Sequence, residues 1–148
     1  MASEPDLIKL YSKRILALAA SIPRTERLEH PDATASKRSP LCGSTVTVDL
    51  KLSDGHIVDF GQDVKACALG QASASILGRN VIGLGRGDVA RARDQLHAML
   101  KSGGPVPEAP FDELEVLLPA RDYKNRHASI LLGLDATLAA FDEALTNA

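Results

Sequence analysis

The stretch from Thr45 to Val64 limits what this chain can fold into more than any other. Thr45 to Leu52 alternates strictly, with Val46, Val48, Leu50 and Leu52 on one face and Thr45, Thr47, Asp49 and Lys51 on the other. That period of two marks a strand with one buried side. Ser53-Asp54-Gly55 follows, and Asp-Gly tolerates the positive φ that a tight hairpin turn needs. His56 to Val64 reads as the returning strand, with Val58, Phe60 and Val64 facing inward. A lone hairpin is marginal in water, so a further strand or a helix must cover its apolar face. The segment before Cys42 is a candidate edge strand, shortened by Pro40.

Helical periodicity surrounds the hairpin. Ile8, Tyr11, Ile15, Leu18 and Ile22 recur at three- and four-residue steps, predicting an amphipathic helix over 4–20 with Ser3 as its N-cap. The proline-containing run from 21 to 40 reads as an extended surface connection. From Cys67 the spacing changes to a helix built largely of small residues, which permits close backbone approach. Asp88 is expected to cap a further helix to about Lys101, ended by Gly103-Gly104-Pro105. Residues 111–120 suggest one or two helical turns. A last helix over 124–145 presents His127, Ile130, Leu131, Leu134, Leu138 and Phe141 on its inward face. The expectation is one α+β domain, 1–148, with a small antiparallel sheet packed on one side by helices. Within it lie the N-terminal helix 4–20, loops and hairpin 40–68, helices 68–101 and the C-terminal helix.

Composition removes several functions. Seventeen basic residues against nineteen acidic ones give a net charge of −2, a poor match to a phosphate backbone. Aromatics are only 3% with no tryptophan, so base-stacking platforms are not expected, and neither is a nucleic-acid partner. No apolar run reaches the length a bilayer demands. The opening residues are charged and carry no signal-peptide pattern. A soluble, cytoplasmic protein is expected. Gly83-Leu84-Gly85-Arg86-Gly87 lacks dinucleotide or phosphate-loop spacing and does not follow a strand. Ser73 and Ser75 lie in a helix with no nucleophile elbow, and His30, His56 and His97 read as surface residues.

Three residues carry candidate chemistry. Cys67 stands where the second strand ends and a helix begins, where free N–H groups and the positive dipole end favour a thiolate. Cys42 precedes Gly43 in the loop entering the first strand, and His127 stands near the start of the last helix. Two loop-proximal thiols and an imidazole suit zinc or iron. The alternative is that both cysteines are small buried hydrophobes and His127 a hydrogen-bonded core residue.

Taken in order, these segments resemble the U-type iron–sulfur cluster scaffold family: IscU, SufU and the N-terminal domain of NifU. DLIKLYSKRILALAA looks like that family's opening helix, and SPLCGSTVTVDLKLSDGHIVD like its first ligand loop and hairpin. VKACALGQASASIL is similar to the second ligand segment, and LPARDYKNRHASILLGLDAT to the third. The helix from Asp88 fits the insertion of SufU-like members. The resemblance implies a scaffold or carrier that binds iron or a transient cluster, such as [2Fe–2S], and passes it to apo-proteins. It implies a cysteine desulfurase as sulfur source. Departures accompany the matches: Ser44 stands at the family's aspartate, and the third cysteine is replaced by His127 or by Ala128, depending on the alignment. Cys42, Cys67 and His127 stay as possible metal ligands, with Ser44 expected to hydrogen-bond a thiolate. Two further roles stay open: a zinc-bound, SufU-like partner of a desulfurase, and a degenerate interaction module without metal.

Overall fold

The computed structural model describes residues 11–41 and 43–147. Strands β1 (Ala33–Arg38), β2 (Thr45–Ser53) and β3 (His56–Lys65) form one antiparallel sheet in the order β1-β2-β3. Helix α1 (Lys13–Ala20) precedes the sheet. After it come α2 (Ala68–Asn80), α3 (Arg86–Lys101), a 3₁₀ segment (Asp112–Asp122) and α4 (Lys124–Asn147). The expected α+β class holds, and the edge strand before Cys42 is β1.

Helix α4 crosses β1 and β2 and is flanked by α2 and α3, while α1 packs on α2. Val46, Val48, Leu50, Ile57 and Phe60 meet Leu69, Ile76, Leu77, Ile130, Leu131 and Leu134 in one buried core. Ser73 Oγ donates to the Ile130 carbonyl at 2.7 Å and ties α2 to α4.

The hairpin register departs from strict alternation. Leu50 pairs with Phe60, but Leu52 pairs with Ile57, because a bulge shifts the register between Lys51 and Leu52. One extra residue turns the following side chains over. Ile57 is therefore fully buried and Val58 is half exposed, the reverse of the inward position expected for Val58.

The outer face of the sheet is covered as well. The connection after α1 runs across it, and Gln62 N–H donates to the Arg24 carbonyl. Gly61 is required there, since the Glu26 carbonyl occupies the space a Cβ would take. Asp49, expected on a solvent face, is completely buried. Its carboxylate accepts from Arg27 Nε (2.6 Å), Arg27 Nη2 (3.0 Å), the Leu28 N–H (3.0 Å) and Thr34 Oγ1.

Two helix starts differ from expectation. Ser12 caps α1, accepting from the Ile15 N–H at 3.2 Å, so the described part of the helix begins at Lys13 rather than running through Tyr11. The expected cap at Ser3 lies outside the described residues. Helix α3 begins at Arg86, and Asp88 sits inside its first turn, accepting from the Gly85 N–H at 3.0 Å. The glycine-rich loop binds the sheet: Ile57 N–H donates to Leu84 O and Gly83 N–H to Ile57 O, extending pairing along the edge of β3.

Candidate metal centre

One end of the sheet gathers the residues with chemistry. Arg38, Thr45 and Lys65 form its last cross-strand row, so the loop joining β1 to β2 and the junction from β3 into α2 are neighbours. The loop is closed by two hydrogen bonds, Ser39 N–H to Ser44 O and Gly43 N–H to Ser39 O, each 2.8 Å. Gly43 adopts positive φ, which favours glycine. Cys42 lies in this loop, outside the described residues. Its neighbours Leu41 and Gly43 are both exposed. Leu41 also borders an open cleft with Tyr123, Lys124, Asn125 and Arg126 at the start of α4.

Cys67 is the N-cap of α2, in an extended conformation, and its own side chain makes no cap hydrogen bond. The thiol is partly exposed. Its Sγ lies 3.6 Å from Ser129 Oγ, and Ser129 Oγ donates to Ser44 Oγ at 3.1 Å. Ser129 and Ser44 are 1% and 4% exposed, so two hydroxyls buried under the site link α4, the β1–β2 loop and the thiol. Gly70 makes this approach possible. A Cβ there would lie 2.6 Å from Ser129 Oγ and 3.0 Å from the Ser129 carbonyl.

His127 belongs to a different environment. It stands two residues before Ser129, about 200° around the helix. Its ring is buried, and Nε2 donates to the Ala120 carbonyl of the 3₁₀ segment at 2.8 Å. Nδ1 is buried without a partner. Burial pushes the imidazole pKa down, opposed by the Ala120 hydrogen bond and reinforced by the charges of Lys101 and His97. His97, expected at the surface, is partly buried. Ala128 is exposed and borders a second groove, with Lys37, Arg38 and Leu132. The structure thus brings Cys67 and Ser44 together through Ser129, a residue the sequence reading passed over. Its signal was a lone hydroxyl directly before the run Ile130–Leu134, at a helix position turned inward. Among the described residues, no three His, Cys, Asp or Glu side chains form a group able to hold a metal.

Protonating the buried ring has a measurable consequence. Because the folded-state pKa lies below the unfolded one, the unfolded chain binds the extra proton first. His127 therefore leaves stability unchanged above roughly pH 6.5 and lowers it progressively below that value. His127→Gln should reduce this acid slope in thermal-melt series from pH 8 to 5, while lowering the melting midpoint at pH 7. An unchanged slope would show that the ring does not titrate in this way.

No protein-family model matches the chain. A curated relative, the iron–sulfur cluster assembly scaffold protein IscU of Thermotoga maritima, is 31% identical over 74 residues, 50% of this chain and 52% of the relative. The match thus spans about half the length of that protein. Among solved structures, the N-terminal part of a nitrogen-fixing NifU-like protein from Brucella abortus superposes with a TM-score of 0.93. It is 48% identical, covering 97% of this chain and 99% of that one. A protein from Fervidobacterium islandicum, described as an iron–sulfur cluster assembly scaffold for the SUF system, has a TM-score of 0.82. That match covers 90% of this chain and 98% of the other at 19% identity, a likeness of fold alone. No helix among the described residues is long and apolar enough to cross a membrane. With nearly half its residues identical to a NifU-like N-terminal domain along almost the full length of both chains, and with the same sheet and helices, this chain belongs to the U-type scaffold family.

Proposed function

We propose that the protein is an iron–sulfur cluster assembly scaffold, binding iron or a transient [2Fe–2S] cluster through the thiolates of Cys67 and Cys42. A cysteine desulfurase would supply the sulfur, and apo-proteins would receive the product. The observation that carries this reading is the partly exposed Cys67 thiol at the N-cap of α2, linked through Ser129 to Ser44, two positions after Cys42. Iron–sulfur clusters are held by cysteine thiolates. The likeness to IscU and NifU-like proteins supports the same assignment. His127 is the nitrogen donor the sequence offers, but its ring lies on the Ala120 side of α4, about 200° around the helix from Ser129 and the thiol, with Nε2 donating to the Ala120 carbonyl. We assign its ring to the fold.

The test is anaerobic reconstitution of the full chain with ferrous iron and sulfide, followed by its visible spectrum and metal content. Wild type should develop sulfur-to-iron charge-transfer bands, and Cys67→Ala and Cys42→Ala should each reduce bound iron to background. Metal that binds the folded state adds RT ln(1 + [L]/Kd), about 2.7 kcal/mol at a hundredfold excess over Kd, and both variants should lose that increment. Zinc in the protein as purified, with no iron uptake, would favour the desulfurase-partner role. Equal metal content in all three proteins would overturn the thiolate assignment. His127→Gln should retain its iron, whereas loss of iron with the fold intact would add His127 to the ligands.

A further inference from the structure

Strand β1 is an outer strand of the sheet, and its outward edge is open. Ser39 N–H donates to the Ser44 carbonyl in register with the β1–β2 ladder, so the odd-numbered residues of β1 direct their backbone groups toward β2. Backbone direction alternates along an antiparallel strand, which turns the N–H and C=O of Thr34, Ser36 and Arg38 away from the sheet. Among the described residues, no backbone group pairs with them there. Ser36, Lys37 and Arg38 are exposed. The opposite edge, that of β3, is partly closed by bonds from Gly83, Leu84 and Arg24.

Charge says what fits this edge. A groove between it and α4 is lined by Ala128, Leu132 and Leu138. Its two carboxylates are already neutralised, Asp135 by Arg93 at 2.9 Å and Asp142 by Arg86 at 2.7 Å. Lys37 and Arg38, on the strand side of the groove, have no acidic partner among the described residues. We propose that the free edge of β1 docks an extended, acidic segment of a partner protein, which adds a fourth strand to the sheet. Main-chain bonds to Thr34, Ser36 and Arg38 supply affinity, and side chains at alternate positions of the segment supply selectivity. Its carboxylates meet Lys37 and Arg38, while its apolar side chains lie along the groove. The span from Thr34 to Arg38 accepts about five extended residues. A second copy of this chain is a poorer occupant. Strand β1 reads Ala-Thr-Ala-Ser-Lys-Arg, so pairing two copies would gather cations with no acid between them. Exposed charge on a short edge strand is a common guard against such self-pairing.

The experiment follows the fluorescence anisotropy of a labelled peptide of alternating glutamate and leucine, and of its glutamine counterpart, against the full chain at low salt. Wild type should bind the glutamate peptide roughly tenfold more tightly than the glutamine peptide, and added salt should remove most of that difference. The double variant Lys37→Gln/Arg38→Gln should bind both peptides equally. Ser36→Pro deletes one edge N–H and leaves the ladder with β2 intact, because proline is accepted where the N–H points out of a sheet. It should bind the glutamate peptide roughly tenfold more weakly than Ser36→Ala, since a backbone acceptor of the peptide is left unpaired. Ser36→Ala is the control: it loses the same hydroxyl contact with Thr47 but keeps the N–H. Wild type that binds neither peptide, or binds both equally, overturns the proposal, and so does equal binding by folded Ser36→Pro and Ser36→Ala. Should Ser36→Pro fail to fold, amide hydrogen exchange of wild type decides. Slower exchange at Thr34, Ser36 and Arg38 on adding the glutamate peptide supports the docking edge, and unchanged exchange overturns it. A wild-type dimer in sedimentation equilibrium that becomes a monomer in Ser36→Pro would give the edge to a second copy and overturn the acidic partner. None of these readouts depends on bound iron.

Discussion

Arg27→Met should destabilise the fold by about 2 kcal/mol, below the roughly 3–5 kcal/mol seen when one partner of a fully buried ion pair is removed, because the Arg27 side chain is 53% exposed. The half-exposed Arg27 guanidinium is not itself costly to bury, but it compensates a carboxylate with no exposure at all. Burial pushes the Asp49 carboxyl up, and the hydrogen bonds of Arg27, Thr34 and the Leu28 N–H outweigh it, so the net pKa is held below the usual carboxylate range. Wild type therefore has this stability above the ordinary carboxylate pKa of about 4, and loses it as pH falls through the depressed value. In Arg27→Met the balance tips toward burial and the carboxyl pKa rises, so acid relieves the buried charge instead of destroying a pair. Denaturant titrations at pH 7 and pH 4 should show the gap between the two proteins narrowing in acid. The double variant Arg27→Met/Asp49→Leu should recover part of the loss, because it removes the stranded charge. A gap that is small or independent of pH would mean the pair does not pin the connection across the sheet.

Gly70→Ala should cost about 2 kcal/mol and impair metal loading, although alanine is the better helix former by about 1 kcal/mol. The added carbon would meet Ser129 Oγ at 2.6 Å, Ala66 Cβ at 2.9 Å and the Ser129 carbonyl at 3.0 Å. A carbonyl within a buried helix cannot step aside, so α2 must move off α4 and carry Cys67 with it. Gly87, in the first turn of α3, has nothing within 4 Å of its ideal Cβ. Gly87→Ala should be neutral or mildly stabilising, and its iron loading should equal that of wild type. Equal melting midpoints for the two alanine variants would refute the close-packing argument.

Local patterns carried much of the architecture. The alternation from Thr45 to Leu52 became β2, the Asp54-Gly55 turn joined it to β3, and Cys67 stands at the start of α2 as its spacing predicted. These features rest on periodicity and turn chemistry, which act over a few residues and are written in them. The bulge after Lys51 has no such signature, and it exchanged Ile57 for Val58 in the core. Asp49 was misplaced for a related reason: its alternation with Val48 and Leu50 says which face it is on, but not that the chain after α1 returns to cover that face.

The site divides along the same line. Its thiols, and the position of Cys67 before a helix, follow from residue order, because N-capping and the strand-to-helix change are local events. Which α4 side chain stands beside Cys67 depends on how α4 is rotated against α2, and Gly70 and the Ile130 carbonyl bond of Ser73 set that rotation. Two residues along a helix turn a side chain to nearly the opposite side. The packed helix pair turned Ser129 toward the thiol and His127 toward Ala120, since the depth of a glycine contact between distant segments is a property of the folded chain and not of any window of its sequence.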